Sequence, residues 1–344
     1  MLDELKNLLS DKTAFSENAF HDLLDVCLSD KRNAHALVAV IAGLSARPFD
    51  SLIASAFVRY LERNHPKRAL ATNCEPINIV GTGGGRKTFN ISTTAAFVAA
   101  SCGTPILKSG SHSYDSQCGS LDVLSAQGIN VSLKEPELVV MLDELGIGFV
   151  SPAMYPPLLR RIATSIYPLT LKQIGSFINT IGPFLCPFKL AGQLCGVRSQ
   201  ALMLPFSEVA QQLDIKNVAL VWSDADMDEF CSVGCNHIYW PAQDGHQHTL
   251  TGRSLGMKQL PLTDLAGGTP ETNASLMKNL LNNTAPEIAI DTVILNAAYL
   301  LRLHNLSLTT VDAIGIAKEA INSGQASRLL TRAIECSHDL SNIH

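Results

Sequence analysis

A cluster of glycines directly after a short apolar run is the feature that most constrains this chain. The apolar residues and the glycines follow each other closely: Ile77, Ile79 and Val80, then Gly81, Gly83, Gly84 and Gly85. The run predicts a buried strand, and a loop with almost no side chains lets backbone N–H groups approach a ligand closely. With a helix N-terminus nearby, this arrangement favours an anion, most often a phosphate.

Three polar residues after the loop, Asn90, Ser92 and Thr93, precede an Ala-rich apolar segment. A simple connection into a helix needs one N-cap side chain, whereas three such side chains indicate ligand binding. The loop fits neither common nucleotide fingerprint, because Arg86-Lys87-Thr88 stands at the wrong spacing for a P-loop and no helix opens directly on the glycines. We therefore predict a phosphate loop outside both classes, with a tight connection as the alternative.

Composition excludes several other classes of protein. The 344 residues carry a formal net charge of −5 and no run of basic residues, so we expect no nucleic-acid binding. No apolar run approaches the ~18 residues that a membrane span requires, and the N-terminus is not typical of a secretory signal. The nine cysteines show no regular spacing, which is typical of reduced thiols in a cytoplasmic protein.

The chain divides into a helical part and an alternating part. Residues 1–70 show only the helical spacing of apolar residues, which predicts a small all-helical domain. Short apolar runs then alternate with helical patterns through residues 71–154 and 193–344, which predicts a larger α/β domain with a central, mainly parallel sheet. Part of the proline-rich segment 155–192 is expected to pack on the helical domain.

Individual elements follow from the same patterns. Strands are predicted at residues 77–80, 105–108, 131–133 and 217–222. The C-terminal third predicts three helices, the first beginning near Pro270 and the others covering residues 291–304 and 310–323.

Residues at the ends of the predicted strands supply further candidates. Parallel strands end at the same edge of a sheet, so Lys108 should lie beside the glycine loop, where it would neutralise a phosphate. Ser120 begins a predicted helix, whose N-terminus would also receive an anion. Asp228 and Glu229 lie in an acidic loop after strand 217–222, which suits Mg²⁺ held by carboxylates and substrate phosphates. A solvated lysine, a simple capped helix and an acidic surface loop are the alternatives.

Several motifs occur together and in order. The first are Gly81-Thr82-Gly83-Gly84, Phe89-Asn90-Ile91-Ser92-Thr93, Lys108 with Gly110, and Gly119-Ser120-x-Asp122-Val123-Leu124. They are followed by Asn179-x-x-Gly182-Pro183-x-x-x-Pro187, Gln193-Leu194-x-Gly196-Val197, Asp228-Glu229, Gly267-Gly268-x-Pro270-Glu271-x-Asn273-Ala274 and Leu295-Asn296-Ala297-Ala298. This ordered set resembles the anthranilate phosphoribosyltransferase family over nearly the whole chain.

The resemblance implies both an architecture and an activity. The family has a small helical domain and a larger α/β domain, and it usually forms a homodimer through the helical domain. Its members transfer the 5-phosphoribosyl group of phosphoribosyl pyrophosphate to the amine of anthranilate, release pyrophosphate and use Mg²⁺. The resemblance implies no covalent catalytic residue, because the chemistry needs electrostatic stabilisation of the leaving group and positioning of a weak nucleophile.

The resemblance also assigns residues to three sets. The set for phosphoribosyl pyrophosphate is Gly81, Thr82, Gly83, Gly84, Asn90, Ser92, Thr93, Lys108 and Ser120. The metal set is Ser92, Asp228 and Glu229. The acceptor set is Ser109, Gly110, Ser111, His112 and Tyr155.

The chain departs from the family pattern on both sides of the site. On the donor side, Gly85 and Asn78 stand where the family has aspartates. On the acceptor side, the family's Lys-His-Gly-Asn-Arg has Ser109 and Ser111 in place of its histidine and asparagine, and an acceptor-binding arginine has no clear equivalent. A guanidinium that binds a carboxylate with two hydrogen bonds is a main source of selectivity for an aromatic acid.

We therefore expect a phosphoribosyltransferase that uses anthranilate or a related aromatic or heteroaromatic acceptor. Two alternatives stay open at this point. One is an activity like that of pyrimidine nucleoside phosphorylases, which share the architecture. The other is a non-catalytic relative that keeps the phosphate loops as a binding module.

Overall fold

The computed structural model describes residues 2–10, 16–110, 118–243 and 245–341 and contains two compact units. One unit comprises Met1–Arg68, Tyr155–Phe188 and Leu204–Asp214; the other comprises Ala69–Met154, Lys189–Met203 and Ile215–His344. The segment Leu204–Asp214 belongs to the helical unit, although its place between two strands predicts the α/β domain. The prediction is wrong there because alternation along the chain does not show on which unit a helix buries its apolar face.

The helices are α1 (Leu2–Leu9), α2 (Glu17–Ser29), α3 (Ala34–Ala46), α4 (Ser51–Glu62), α5 (Ile91–Ser101), α6 (Ser120–Ala126), α7 (Glu135–Leu145), α8 (Pro157–Ser165), α9 (Leu171–Ile174), α10 (Ser176–Thr180), α11 (Met203–Gln212), α12 (Pro270–Leu281), α13 (Glu287–His304), α14 (Thr310–Asn322) and α15 (Gln325–Ser341). The strands are β1 (Ile77–Gly81), β2 (Ile106–Lys108), β3 (Ile147–Phe149), β4 (Gly192–Gly196), β5 (Val218–Ser223), β6 (Cys235–Tyr239) and β7 (Gln247–Thr251).

The helical unit forms because its helices carry apolar stripes and defined starts. In α3, Leu37, Val40 and Ile41 are buried at helical spacing. Helix α4 begins after Asp50, whose carboxylate accepts hydrogen bonds from two amides of the first turn.

The second unit is built on one sheet with the strand order β3-β2-β1-β4-β5-β6-β7. The first five strands in chain order, β1 to β5, pair in parallel, and β6 and β7 add antiparallel pairs at one edge. The predicted α/β class with a mainly parallel sheet is confirmed. The chain builds the sheet outward from β1 through β2 to β3, then returns to place β4 on the other side of β1.

Three local predictions differ from the structure. Residues 131 and 132 form a turn and residue 133 has no regular structure; the strand follows α7 instead, as β3. Two apolar residues, one on either side of a serine, are too short a pattern to separate a strand from a turn. The β6–β7 hairpin and helix α15 have no counterpart among the predicted elements, because the residues of β7 are mostly polar and α15 lies beyond the expected stop at Gly324.

The core brings the start of α5 to the carboxyl edge of the sheet. The buried alanines of α5, among them Ala95, Ala96 and Ala99, let α13 pack closely against it. Helix α5 begins at Ile91, three residues before the predicted Ala-rich segment, so Ser92 and Thr93 lie in its first turn. No helix within the described residues is both long and apolar enough to cross a membrane.

Candidate active site

The sheet reverses its strand order at β1, between β2 and β4, and the glycine loop leaves the sheet at this point. In open parallel sheets, ligands bind beyond the carboxyl ends of the strands where the order reverses. Here the segments that leave this edge are residues 82–90 after β1, Val197 and Arg198 after β4, and the acidic loop 224–229 after β5. The structure thus brings together segments that are far apart in the sequence.

Some of the glycines make room for the acidic loop of the protein itself. A Cβ atom at Gly81 would overlap the Asp228 carboxylate, and one at Gly196 would overlap the backbone oxygen of Asp228. At Gly85 the added atom would lie 2.7 Å from the backbone oxygen of Asp226. These three glycines therefore position the acidic loop, whereas the sequence alone assigns the cluster to ligand contact.

Gly83 and Gly84 have a different role, because their backbone takes the left-handed conformation. Their φ angles are +67° and +89°, and a Cβ atom at Gly83 would meet no heavy atom within 4 Å. The Gly83 N–H donates to Asp228 Oδ2 over 2.7 Å, so one amide of the predicted anion cradle already binds a carboxylate. Thr82 Oγ1 accepts from the backbone N–H of Arg198 over 3.0 Å, which ties the loop to the end of β4.

Asp228 and Glu229 form a half-buried carboxylate pair at the start of α5. Glu229 Oε1 accepts a hydrogen bond from the Ser92 N–H over 3.0 Å. Burial raises the pKa of Glu229 to about 8, the Asp228 carboxylate adds to this rise, and the Ser92 amide and Lys108 oppose it. Burial also raises the pKa of Asp228. Each carboxylate is thus held by a backbone amide of a neighbouring segment, Asp228 by Gly83 and Glu229 by Ser92.

Lys108 places a buried cation near this pair. Its side chain is buried, and its ammonium donates to the backbone oxygens of Ile79 over 2.8 Å and of Ser109 over 3.3 Å. Burial lowers the pKa of Lys108 to about 8, and the Glu229 carboxylate opposes this shift. A lysine enclosed without a directly bound carboxylate among the described residues is costly unless an anionic ligand compensates it.

The polar residues around the start of α5 differ in their partners. Asn90 is the N-cap residue but forms no capping hydrogen bond; its Oδ1 accepts from Asn273 Nδ2 over 2.9 Å. Thr93 is fully buried, and its hydroxyl has no hydrogen-bond partner among the described residues. An enclosed, unpartnered hydroxyl is uncommon in a folded protein and fits a site completed by a ligand.

Ser120 lies at the start of α6 and close to the acceptor segment. The N-cap of α6 is Gly119, so Ser120 is the first helical residue and not the cap that its pattern predicts. Ser120 Oγ stands against Gly110, where a Cβ atom would overlap it. The predicted donor and acceptor segments therefore touch at this point.

The comparisons with known proteins agree with this geometry. A family model described as "Glycosyl transferase family, a/b domain" matches residues 74–327. An anthranilate phosphoribosyltransferase of Beijerinckia indica subsp. indica is 33% identical over 267 residues, which is 77% of this chain and 77% of that protein. The chain belongs to the anthranilate phosphoribosyltransferase family. This membership makes it an enzyme of the pentosyltransferase class.

Further relatives of the anthranilate phosphoribosyltransferase family extend the match. The anthranilate phosphoribosyltransferase of Thermomicrobium roseum is 32% identical over 301 residues, which is 86% of this chain and 85% of that protein. The crystal structure of the enzyme from Thermus thermophilus has a TM-score of 0.81 at 25% identity and covers 98% of this chain and 99% of that chain. The Saccharomyces cerevisiae enzyme in complex with PRPP and Mg has a TM-score of 0.86 at 22% identity, covering 98% of each chain, and shows the shared fold.

The acceptor set of the anthranilate phosphoribosyltransferase family is less fully described than the donor set. Ser109 and Gly110 follow β2 at the carboxyl edge of the sheet, whereas Ser111 and His112 lie outside the described residues. Tyr155 begins a segment of the helical unit. The assignment of these five residues stays a prediction.

Two residues at the family's site were missing from the predicted sets. Asn273 joins Asn90 to the Gly267-Gly268 segment, since its Oδ1 accepts from the Gly268 N–H over 2.7 Å. Arg198 is exposed beside Gly84, and its Cδ would lie 3.4 Å from a Cβ atom added there, so its cation lies next to the glycine loop. The signal for Arg198 was its position two residues after the Gly196 motif, at the carboxyl end of a strand.

A metal ion beside Asp228 and Glu229 would need ligands from the substrate as well as from the protein. No group of three or more His, Cys, Asp and Glu side chains suited to a metal occurs within the part of the chain that the structure describes. Asp228 and Glu229 offer two carboxylates, which is the usual protein contribution where Mg²⁺ also binds substrate phosphates. The donor set therefore fits Mg²⁺ that arrives with a phosphorylated ligand.

Proposed function

We propose that this chain transfers the phosphoribosyl group of phosphoribosyl pyrophosphate to an aromatic amine, with anthranilate as the first candidate, and releases pyrophosphate. The observation that carries the proposal is the contact of Asp228 and Glu229 with the glycine loop and the first turn of α5. Two carboxylates, two backbone amides and the buried Lys108 lie at the same carboxyl edge of the sheet, which supports binding of a phosphorylated ligand with a metal ion there. The relatives named anthranilate phosphoribosyltransferase support the reaction class.

The residues of this chain bind and neutralise the leaving group. Loss of pyrophosphate leaves positive charge on the ribose ring, so the barrier falls when the negative charge on the departing phosphates is stabilised. Lys108 supplies a cation, and the Thr93 hydroxyl and the loop amides supply hydrogen bonds to phosphate oxygens. The left-handed turn at Gly83 and Gly84 lets the backbone approach those oxygens. Positioning of the amine against the ribose carbon supplies the rest of the rate enhancement.

We propose Mg²⁺ as the cofactor, held by Asp228 and Glu229 with Ser92 beside them. When bound, the ion adds positive charge at the pyrophosphate. The Saccharomyces cerevisiae complex with PRPP and Mg supports this proposal. The contacts of the two carboxylates with Gly83 and Ser92 hold the pair in place for such an ion.

Binding of Mg²⁺ with phosphoribosyl pyrophosphate should release a proton from Glu229 at neutral pH. With a pKa of about 8, Glu229 is mostly protonated at pH 7, and a cation requires the carboxylate, so about 0.9 proton per site should leave. At pH 9 the carboxylate is already ionised, so the contribution of Glu229 to the release should fall to about 0.1. Calorimetric titration in two buffers of different ionisation enthalpy measures the number of protons.

Glu229→Gln is the matched control for this prediction, since it keeps the shape and removes the titrating group. The proton release at pH 7 should then lose the contribution of Glu229 and keep the part that comes from the ligand's phosphates and the other groups of the site. Equal release by the two proteins at pH 7 would contradict the raised pKa of Glu229.

Fewer contacts of described residues support the proposed acceptor pocket than the donor site. Ser109, Gly110, Ser111, His112 and Tyr155 are the proposed contacts. Because the family's histidine and asparagine are replaced here, a related aromatic or heteroaromatic amine is a specific alternative to anthranilate. The relatives' names support anthranilate as the first compound to test.

The proposed function is tested by pyrophosphate release. The protein is incubated with phosphoribosyl pyrophosphate, Mg²⁺ and, in separate reactions, anthranilate, other aminobenzoates and heteroaromatic amines. Release with at least one acceptor supports the proposal. If calorimetry shows that phosphoribosyl pyrophosphate binds but no acceptor leads to pyrophosphate release, the chain is better explained as a non-catalytic binding module. If the donor does not bind either, the whole proposal fails.

We also propose a cytoplasmic homodimer that associates through the helical unit. The nine free cysteines support a reducing compartment. The dimer rests on the family resemblance alone, and light scattering of the purified chain tests it.

A further inference from the structure

A network of buried amide and hydroxyl groups joins three neighbouring strands beneath the site. Asn78 on β1 pairs in register with Gln193 on β4, and Ser109 follows β2 directly. The exposed fractions of Asn78, Gln193 and Ser109 are 0%, 2% and 3%. Side chains as buried as these satisfy their hydrogen bonds with each other or with a ligand.

One backbone amide determines the orientation of this network. The Ser109 N–H can only donate, so the Asn78 atom that it meets at 3.1 Å is the carbonyl oxygen Oδ1. The other terminal atom of Asn78 is therefore Nδ2, which can only donate. It faces Ser109 Oγ at 2.6 Å and, more weakly, Gln193 Oε1 at 3.5 Å. Both of these oxygens must then accept.

The consequence is that the donor hydrogens of both partners point away from Asn78. The hydroxyl hydrogen of Ser109 meets no acceptor within the described ranges 2–10, 16–110, 118–243 and 245–341. Gln193 Nε2 is enclosed and meets no nitrogen or oxygen acceptor in the part of the chain that the structure describes; its neighbour is the Cys195 thiol, a weak acceptor. Buried donors without partners are costly, and a ligand that accepts a hydrogen bond removes this cost.

We infer that Asn78 is a positioning residue that makes the Ser109 hydroxyl a hydrogen-bond donor to the phosphoribosyl acceptor. This inference rests on the proposed function, which places Ser109 in the acceptor set. The substrate class that fits is an aromatic amine with an accepting group beside the amine, such as a carboxylate, a carbonyl oxygen or an unprotonated ring nitrogen.

Two of the departures from the family pattern meet in this network. The family has an aspartate at the position of Asn78 and a histidine at the position of Ser109, and the structure shows that the two residues of this chain bind each other. An aspartate here would accept the hydroxyl hydrogen of Ser109 and reverse the polarity of the contact. The asparagine and the serine therefore act as one coupled change.

The test begins with Asn78→Asp, which keeps the size of the side chain and replaces the donor Nδ2 with an acceptor. The KM for anthranilate, or for the best acceptor of the panel above, should rise roughly five- to tenfold, because one neutral hydrogen bond to the ligand is lost. The KM for phosphoribosyl pyrophosphate and kcat should stay within about twofold. Ser109→Ala removes the same hydroxyl without adding a buried charge and should raise the acceptor KM by a similar factor.

The double variant decides between a positioning and a structural role. If Asn78 acts through Ser109, Asn78→Asp should not raise the acceptor KM further in the Ser109→Ala background. A full additional rise there, an equal rise in the donor KM, or no change of the acceptor KM in either single variant would overturn the inference. These outcomes require an active wild type, so they differ from failure of the proposed function, in which the wild type releases no pyrophosphate with any acceptor.

Discussion

Gly196→Ala should abolish the candidate site and destabilise the α/β unit. The added Cβ atom would overlap the backbone oxygen of Asp228. Neither atom can move aside as the end of a flexible side chain would, because the Cβ atom is fixed to the backbone of β4 and the oxygen belongs to the backbone of the acidic loop. We expect the free energy of unfolding to fall by ~3 kcal/mol, the upper part of the range for overpacked sites. Urea denaturation measures this loss.

The same substitution should remove binding of Mg²⁺ with phosphoribosyl pyrophosphate, because Asp228 and Glu229 would be displaced from Gly83 and Ser92. Gly315→Ala is the matched control. Gly315 is exposed within α14, and an added Cβ atom meets nothing within 4 Å. This control should gain ~0.5–1 kcal/mol from the better helix propensity of alanine. A Gly196→Ala protein with unchanged stability and donor affinity would refute the packing role of this glycine.

Lys108→Met should stabilise the free protein and weaken binding of the donor. The burial that lowers the pKa of Lys108 to about 8 also makes its ammonium a cost to folding at pH 7. Methionine has a similar length and no charge, so the free energy of unfolding should rise by ~1–2 kcal/mol, after the loss of the bonds to Ile79 and Ser109 is counted. Without the cation, the affinity for phosphoribosyl pyrophosphate should fall roughly 10- to 100-fold.

A gain in stability together with a loss of donor affinity would identify Lys108 as a functional cation. Removing a lysine that serves only the fold would instead lower the free energy of unfolding. Lys278→Met, at an exposed position of α12, should change neither quantity. Calorimetry of donor binding and urea denaturation of the two variants give the comparison. A destabilised Lys108→Met protein that binds the donor normally would show that the lysine serves the fold alone.

Most of the site prediction followed from the rule that parallel strands end at the same edge of a sheet. It places Lys108, the glycine loop and Asp228 together from the ends of three strands, and the structure brings these segments to one edge. The ligands assigned to them stay predictions. What the rule cannot supply is which glycine faces the ligand, because the roles of Gly81 and Gly196 depend on a loop far along the chain.

The failed element predictions have the same origin. Residues 131–133 and β7 have patterns too short or too polar for a local signal, and their states are decided by what packs on them. The sequence also does not show that Asn78 and Ser109 bind each other, because there they are two separate departures from the family pattern. It appears only because β1 and β2 are neighbours in the sheet.

The packing of the acidic loop on Gly81, Gly85 and Gly196 has a consequence for how the ligand binds. Because backbone contacts hold Asp228 and Glu229 in place before any ligand arrives, the entropy of ordering them is lost during folding and not during binding. Association of the donor with Mg²⁺ should therefore follow a single kinetic phase whose rate rises linearly with concentration. The absence of a side chain at these three glycines therefore preorganises the carboxylate pair for its ligand.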